Sequence, residues 1–510
     1  MTDVSNPNKI TNSMKWLITI TVMSVAVIEV LDMTIVNVAL PNMMGSLGAS
    51  SDQITWVLTS YIVSSAICMP LTGFLVNWMG RKRLLLINII GFLLTSALSG
   101  MAVNLSQIVL FRTLQGIFGA TLVPMSQYIL RDTFPQEEQG TAMAVWGIGI
   151  MAGPVLGPTL GGYITETLNW RWVFYINIPV CIMAFFMTLK FIQETPRKKV
   201  FVDWLGLGLL TIGIGAMQIV LDRGNQENWF NSNFIIILTA ISAYCLVFFI
   251  IRGLRYAKNI IDLKLFKDFN FSSSTIMLTL YCISMFGLLT LLPIMLENLM
   301  NYPVGTTGWD MAPRGITCAI SMAMMAKLIN KVDTRFLIAI GLLFTAAGSY
   351  MMTQFSLNIS EYYVLVSGAI QGFGMGFFFV PISTMALATL PAEKTAEGSG
   401  LFSFGRSLGS SIGISLFSTI LSQESQINWN RLGGYLTPSN PELQQWLFAH
   451  HLTLANPTTP QLLGQTLAQQ STMIAFVDCY WLGMVLVLIM LPILFFIKKP
   501  SISQGLNVGH

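Results

Sequence analysis

Residues 149–162 carry the sequence GIMAGPVLGPTLGG, within an apolar stretch that extends from 139 to 163. A stretch of about 20 mostly apolar residues is long enough to cross a bilayer as a helix. Glycine recurs here every four residues, which leaves one flat helix face for close approach by a second helix, and two prolines bend or weaken the helix. The motif therefore predicts a tightly packed membrane span. Its residues are Gly149, Gly153, Pro154, Gly157, Pro158, Gly161 and Gly162.

The composition of the whole chain indicates a polytopic membrane protein. Of the 510 residues, 54% are hydrophobic and only 10% are charged, whereas an average soluble domain carries roughly 25% charged residues. This balance excludes a water-soluble enzyme and a disordered chain. About fourteen stretches are long enough to span a bilayer as helices. They lie at 15–39, 54–76, 84–103, 106–130, 139–163, 171–192, 204–222, 233–252, 272–296, 311–331, 335–354, 361–388, 398–421 and 474–497.

The placement of Lys and Arg predicts that both chain termini lie in the cytoplasm. With the N-terminus inside, alternation of these spans places nearly all loop cations in cytoplasmic segments. The outer segments then hold only Arg171, Arg223 and Arg431. The longest outer segment, at about 423–471, is predicted to form a folded cap, or alternatively a docking surface for a partner outside the membrane.

Short segments of the first half of the chain recur in the second half. The sequence VPMS at 123–126 recurs as VPIS at 380–383, and other echoes have a similar spacing. Many transporters build a central site with alternating access from two related halves. We therefore predict an all-α membrane fold with three parts. These are a six-helix bundle at 1–200, two inserted transmembrane helices at 201–258, and a second six-helix bundle at 259–510 that includes the outer segment.

Two carboxylates occur inside the first span, at Glu29 and Asp32. They lie about one helical turn apart and share a face. A carboxyl group in a low-dielectric environment binds a proton more readily than in water, which suits a proton-driven carrier. Arg112 in the fourth span requires an acidic partner, and either carboxylate is a candidate. The pattern predicts proton coupling, and the alternative is a purely structural ion pair.

The loop between the second and third spans reads GFLVNWMGRKR at 73–83. Its cations are typical of a cytoplasmic anchor. Its glycines and the polar Asn77 further indicate a tight turn and a helix cap. We predict a role in conformational gating for this loop. The residues concerned are Gly73, Asn77, Gly80, Arg81 and Lys82.

Other charged residues in or near the spans are weaker candidates. They are Asp222, Arg223, Glu297, Asp310, Arg314 and Arg406. The pair at the end of the seventh span is expected to anchor that helix. The three near the outer ends of the ninth and tenth spans either form a gate ion pair or lie on the surface, and we favour the surface. The arginine of the thirteenth span requires a partner that the sequence does not identify.

These motifs together resemble the major facilitator superfamily, in its fourteen-span drug:proton antiporter branch. The loop at 73–86 is similar to the family signature between spans two and three, and Arg112, Gln115 and Gly116 match the span-four signature. The run at 149–162 matches the antiporter signature, which is the most specific of these. Further matches are LDMTIVNVALP at 31–41, WRWVFYINIP at 170–179 and LDRG at 221–224.

The resemblance implies the major facilitator fold and export of toxic, often hydrophobic compounds in exchange for protons. It places Asp32 where the family carries its membrane-embedded acidic residue, and assigns Arg112 and Gln115 to the coupling ion pair. It also implies a bacterial inner-membrane location, a periplasmic adaptor and an outer-membrane channel as partners. No nucleic acid, metal or cofactor is expected, because the proton gradient supplies the energy.

Two departures from the family pattern leave alternatives open. Asn77 stands where the loop signature usually has Asp, so the usual ion pair with the loop cations cannot form. Glu29 stands where the resemblance leads us to expect Gln, and the extra carboxyl changes the proton count or favours cationic substrates. The main alternative to multidrug export is a specific exporter of one metabolite, siderophore or fatty acid. A membrane channel or a sensor is a more distant alternative.

Overall fold

The computed structural model describes residues 11–198, 202–256, 260–329, 331–449, 452–453 and 458–496. Both chain termini lie outside these ranges, so the prediction about their location remains a prediction. Within the described part, the chain folds into long helices joined by short connections. We number the principal helices α1 to α14 in chain order.

The fourteen principal helices coincide with the predicted spans. They are α1 (Asn12–Leu47), α2 (Trp56–Met79), α3 (Arg81–Met101), α4 (Leu105–Thr133), α5 (Gln139–Thr167), α6 (Trp172–Phe191), α7 (Trp204–Arg223), α8 (Asn233–Arg255), α9 (Phe269–Leu299), α10 (Val304–Leu328), α11 (Thr334–Met352), α12 (Glu361–Ala388), α13 (Thr395–Gly433) and α14 (Thr458–Leu488). Among the described residues, 11 helices are long and apolar enough to cross a membrane, or 12 if the bent α5 counts as one span. The more polar α10 and α13 complete the set.

Helix α5 is bent in the middle of the glycine–proline run. Its two parts, Gln139–Pro154 and Thr159–Thr167, meet at an angle of 45°. Proline removes a backbone hydrogen bond and clashes with the preceding turn, so two prolines four residues apart account for a sharp bend. The bend lets one helix follow α1 along much of its length.

The two inserted helices, α7 and α8, pack against one another, and α7 also contacts α2 and α13. The end of α7 is fixed to α2 by two contacts. The Thr59 hydroxyl donates a hydrogen bond to Asp222, and the Arg223 guanidinium lies 4.6 Å from the centre of the Trp56 ring. Asp222 and Arg223 thus both contact α2, and their anchoring role stays a prediction. The division at 200 and 258 stays a prediction.

The outer segment at 423–471 contains more helix than the sequence predicts. Helix α13 continues to Gly433, a short helix covers Pro441–Ala449, and α14 already begins at Thr458. Hydropathy places the end of a span where the side chains become polar. A helix needs apolar residues only where it crosses lipid, so polar residues such as those at 423–432 extend it into water.

Candidate functional site

A fully buried carboxylate, Asp32 of α1, lies at the centre of the first half of the chain (α1–α6). Three side chains donate hydrogen bonds to it. Arg112 Nη1 lies 2.6 Å from Oδ2, Gln115 Nε2 lies 3.1 Å from Oδ1, and Asn177 Nδ2 lies 2.7 Å from Oδ1. We call these four residues the Asp32 cluster. It joins α1, α4 and α6 through one negative charge.

The guanidinium of Arg112 is also completely buried. Its Nε donates to the Val57 carbonyl at 3.2 Å, and Nη1 also donates to Gln115 Oε1 at 2.9 Å. The ring of Tyr61 lies 4.1 Å from the guanidinium carbon. A buried ion pair is stable only when further hydrogen bonds and contacts satisfy both partners. Here only Nη2 lacks a hydrogen-bond partner within the described structure.

The second carboxylate, Glu29, is buried but much less well satisfied. The Tyr61 hydroxyl donates to Glu29 Oε1 at 3.3 Å, whereas Oε2 has no hydrogen-bond partner in the described part of the chain. Tyr61 therefore contacts both charged groups, with its ring on Arg112 and its hydroxyl on Glu29. Of the two candidates that the sequence offers, Arg112 pairs with Asp32, and Glu29 forms no ion pair with any residue that the structure describes.

Arg406 of α13 faces Glu29 from the second half of the chain (α9–α14). It is 9% exposed and close enough to Glu29 for an electrostatic interaction, but the two side chains form no ion pair. Its Nε lacks a hydrogen-bond partner among the described residues. Arg406 therefore interacts with Glu29 only through its charge, and no ion pair to Arg406 is found within the described part of the chain.

The glycine stripe of α5 packs directly against the helix that carries both carboxylates. A Cβ added at Gly153 would lie 2.6 Å from Val30 Cγ1, and one added at Gly161 would lie 2.9 Å from the Ile35 carbonyl oxygen. The Thr34 hydroxyl donates to the Gly153 carbonyl at 3.1 Å. Gly149 and Gly157 lie in similarly close contact with α1. The glycines of the antiporter motif thus fix the position of the α1 helix that carries Glu29 and Asp32. The side chain of Pro158 is outside the described part of the structure.

The structure predicts unequal effects for two alanine substitutions within this motif. In Gly153→Ala, the new methyl group would overlap the Val30 side chain and approach its carbonyl carbon at 3.0 Å, whereas in Gly162→Ala it would meet only Val38 Cγ1, at 4.0 Å. Overpacking of this kind costs about 1–3 kcal/mol. Both variants gain the same helix propensity, so their difference reports the contact. We expect a lower free energy of unfolding for Gly153→Ala only; equal values would contradict close α1–α5 packing.

The two halves of the chain are in contact at the end of the bundle where α1 begins. We call this the basic end, because Arg81, Arg131, Lys198 and Lys394 lie there. Arg131 donates to the Thr395 hydroxyl at 2.6 Å and to the Leu390 carbonyl at 3.1 Å, and Lys198 pairs with Glu393 at 3.1 Å. These contacts join α4 and the chain after α6 to the turn between α12 and α13. These side-chain contacts therefore hold the two halves together at the basic end.

A third group at the basic end consists of Lys394, Asp262 and Glu397. Lys394 Nζ lies 2.8 Å from Asp262 Oδ2 and 3.3 Å from Glu397 Oε2. Partial burial raises the pKa of Asp262, but the hydrogen bond and charge of Lys394 outweigh it, so the pKa lies below its ordinary value. A carboxyl whose folded pKa is depressed stabilises the fold above its ordinary pKa and loses this effect only in stronger acid. This group of ion pairs, which lies within the second half of the chain, therefore persists at neutral pH.

The loop at 73–83 contacts elements on both sides of it. Arg81 pairs with Asp132 of α4 and donates from Nε to the Gln193 carbonyl at 2.8 Å. Gly80 has a φ of 86°, a left-handed conformation that favours glycine. The Glu194 carboxylate accepts the backbone N–H of Lys82 at 3.1 Å. Arg81 thus has a carboxylate partner although position 77 carries an amide.

Two residues of this loop lie at contacts with other segments. The Asn77 carbonyl accepts the Lys198 N–H at 2.9 Å. A Cβ added at Gly73 would lie 2.6 Å from Glu397 Cα, so α2 and α13 touch at this glycine. Of the predicted gating residues, Gly73 therefore lies where the first half meets the second, whereas the contacts of Asn77, Gly80, Arg81 and Lys82 lie within the first half.

The favoured surface interpretation of Asp310 and Arg314 is wrong. Their exposed fractions are 1% and 2%, because both face into the bundle from α10. They form no ion pair with one another, so the gate pair is absent too, and both Asp310 oxygens lack hydrogen-bond partners within the described structure. Hydropathy cannot distinguish a polar residue at a span end from one that faces α12. Glu297, at the end of α9, is half-buried.

The sequence analysis did not predict two residues that contact the buried charges of α1 and α4, namely Asn177 and Tyr61. Asn177 lies within the WRWVFYINIP match, but the motif gave it no role, and here it donates to both Asp32 and Ser96 Oγ, the latter at 2.9 Å. Tyr61 carried no signal beyond a hydroxyl within an apolar stretch. Polar side chains inside predicted spans, at the depth of a buried charge, were the available clue.

A bundle of membrane-spanning helices around buried, paired charges defines a polytopic membrane transporter. Residues 22–414 match the family model described as Major Facilitator Superfamily, and the chain belongs to that family. It is 36% identical to the fatty acid resistance protein FarB of Neisseria gonorrhoeae over 94% of this chain and 95% of that one. It is 34% identical to the multidrug export protein EmrB of Escherichia coli K12 over 94% of each chain.

The fold also matches solved structures of the family. The proton:xylose symporter XylE superposes with a TM-score of 0.60 at 12% identity, over 96% of this chain and 97% of that one. This likeness concerns the fold alone. The family match and the similarity to the export proteins identify the chain as a major facilitator efflux transporter and not an enzyme.

Proposed function

We propose that the chain is a proton-coupled antiporter that exports hydrophobic toxic compounds from the cytoplasm across a bacterial inner membrane. The observation that carries this proposal is Asp32, a fully buried carboxylate whose donors come from α4 and α6. A proton taken up there changes the charge at the centre of three helices by one unit. Such a change can couple proton movement to helix movement without a cofactor.

The contacts suggest how proton and substrate compete. With Asp32 ionised, Arg112 is held by it at 2.6 Å. A proton on Asp32 removes this attraction, and Arg112 becomes available to Glu29, to which it is already connected through Tyr61. A cationic substrate at Glu29 opposes that shift, because two positive charges cannot share one carboxylate in a low-dielectric site. Substrate binding therefore favours proton release, as antiport requires.

The arrangement of charges supports an orientation. Clustered Lys and Arg favour the cytoplasmic side, so the basic end is the cytoplasmic end and both termini lie there. The opposite end carries the helical extensions of α13 and α14 and exposes large apolar side chains, including Tyr435 at 63% and Phe448 at 84%. This end suits a periplasmic adaptor of the EmrA type, which an outer-membrane channel would extend.

A narrower function, export of one class of fatty acid, is the second candidate. It is favoured by the similarity to a protein named for fatty acid resistance. A panel of substrates separates the two candidates, because a fatty acid exporter would reject cationic dyes.

The proposal is tested with purified protein in proteoliposomes that carry an imposed pH gradient. We expect concentrative uptake of a hydrophobic cation, ethidium, only when the proton concentration is higher inside the proteoliposomes than outside. Protons then leave the vesicles as ethidium enters. Collapse of the gradient by an uncoupler should abolish accumulation. Flux that only equilibrates ethidium, with or without a gradient, would contradict antiport and favour a channel.

Glu29→Gln should separate cationic from uncharged substrates. Gln keeps the size and the hydrogen bond from Tyr61 but removes the negative charge that faces Arg406. Loss of a charge-assisted contact is worth about 1.5–3 kcal/mol, or roughly tenfold to a hundredfold in affinity. We expect ethidium transport to weaken by about this factor, while transport of an uncharged substrate is maintained. Unchanged ethidium transport and proton stoichiometry would refute a role for the extra carboxyl.

A further inference from the structure

A second buried arginine, Arg314 of α10, takes no part in the hydrogen bonds and ion pairs described above. Its exposed fraction is 2%, and Nε, Nη1 and Nη2 all lack hydrogen-bond partners within the described structure. Arg112, by contrast, is held by a carboxylate, a carbonyl and an amide. A buried guanidinium without partners is strongly unfavourable. The Arg314 guanidinium therefore has three nitrogens available to bind an anion.

The surroundings of Arg314 indicate what kind of anion fits. Arg314 lines a small cavity whose other walls are almost entirely apolar. Met285, Phe286 and Leu289 of α9 and Met375 of α12 come from the second half, and Met151 and Pro154 of α5 come from the first. Thioether and aromatic side chains adapt to ligands of varied shape. The cavity thus lies between the two halves and combines one cation with flexible apolar walls.

We infer that this cavity is the subsite for the head group of hydrophobic monoanions, with the carboxylate of an aliphatic acid bound to Arg314. The guanidinium fork matches the two oxygens of a carboxylate, and the apolar walls accept the chain. This inference rests on the proposed export function and adds a substrate class to it. Glu29 would serve cations and Arg314 anions, so two subsites of opposite charge explain one exporter for both classes.

The location also links the subsite to the transport cycle. Pro154 belongs to the glycine–proline run of α5, at the point where the two parts of that helix meet. Because the cavity is small here, a long aliphatic chain enters only when α5 separates from α9 and α10. Occupation of the subsite would therefore favour a conformation in which the halves stand further apart at this level.

The test compares ligands that share a chain and differ in charge. Binding of radiolabelled decanoate, decyltrimethylammonium and decanol is measured by equilibrium dialysis on the full chain in lipid nanodiscs, with empty nanodiscs subtracted. The variants are Arg314→Met, which removes the charge, and Arg314→Lys, which keeps it. Arg255→Met, at an exposed arginine at the end of α8, is the matched control. Thermal unfolding of each variant monitors folding.

We expect Arg314→Met to weaken decanoate binding by at least about tenfold and to leave decanol and decyltrimethylammonium within about twofold of the unsubstituted protein. Arg314→Lys should retain part of the decanoate affinity. Unchanged decanoate binding in Arg314→Met, or equal loss of all three ligands in a folded variant, would overturn the inference. The binding assay uses no pH gradient, so a negative result for decanoate would not bear on antiport, which the proteoliposome experiment decides. A negative proteoliposome result would likewise not bear on decanoate binding at Arg314.

Discussion

Replacing Asp32 with Asn is expected to reduce gradient-driven export to the level of protein-free liposomes. Asparagine is nearly isosteric and still accepts hydrogen bonds from Gln115 and Asn177 through its carbonyl oxygen. It cannot bind or release a proton. Because proton uptake at this position is the proposed link between the gradient and the helices, the substitution removes that link while the donors of α4 and α6 keep an acceptor.

The measurement is ethidium accumulation in proteoliposomes under an imposed pH gradient, together with ethidium binding in the absence of a gradient. We expect ethidium binding to weaken in Asp32→Asn but to remain measurable, because a neutral side chain at position 32 frees Arg112 to compete with the cation for Glu29. Asp478→Asn, at an exposed carboxylate of α14, is the matched control and should accumulate ethidium normally. Accumulation by Asp32→Asn at the level of the unsubstituted protein would remove Asp32 from the coupling mechanism.

Arg112→Met is expected to lower the free energy of unfolding by about 3–5 kcal/mol, the range found when one partner of a buried ion pair is removed. The reason is that Asp32 remains buried and loses its closest donor, at 2.6 Å. Methionine fills a similar volume, so a cavity contributes little. The double variant Asp32→Asn/Arg112→Met should recover much of the loss, because neither charge then remains.

This prediction is checked as a double-mutant cycle, with the free energy of unfolding measured by denaturant titration in mixed micelles. Strong coupling between the two substitutions is the expected result. Additive losses would indicate that the contact at 2.6 Å contributes little to stability. The Arg112→Lys variant provides a further comparison, because a lysine retains the charge but cannot contact Asp32, Gln115 and the Val57 carbonyl together.

The fold was largely predictable because membrane spans are marked by length and hydropathy, which are local properties of the sequence. The predicted spans each coincide with a helix. Errors arose where the helix extends beyond the lipid, as in α13 to Gly433. There, backbone hydrogen bonding continues after the apolar pattern has ended, so hydropathy gives no boundary.

The candidate site was predictable only in part. A buried arginine requires a counter-charge, so pairing of Arg112 with a carboxylate of α1 followed from charge alone. The choice of Asp32 over Glu29 did not follow, because it depends on how α1 is rotated and on donors from α4 and α6. The burial of Asp310 and Arg314 also depends on tertiary packing. A polar residue near the end of a span has the same hydropathy whether it faces water or α12.

Substrate binding at Glu29 is proposed to release a proton from Asp32, so the first quantity to measure is proton release on substrate binding. The purified protein is held in weakly buffered detergent solution with a pH-sensitive dye, and ethidium is added to the unsubstituted protein and to Asp32→Asn. We expect proton release from the unsubstituted protein and none from Asp32→Asn. Equal release from both would contradict this expectation and would move the proton site away from Asp32, with Glu29 the first position to examine.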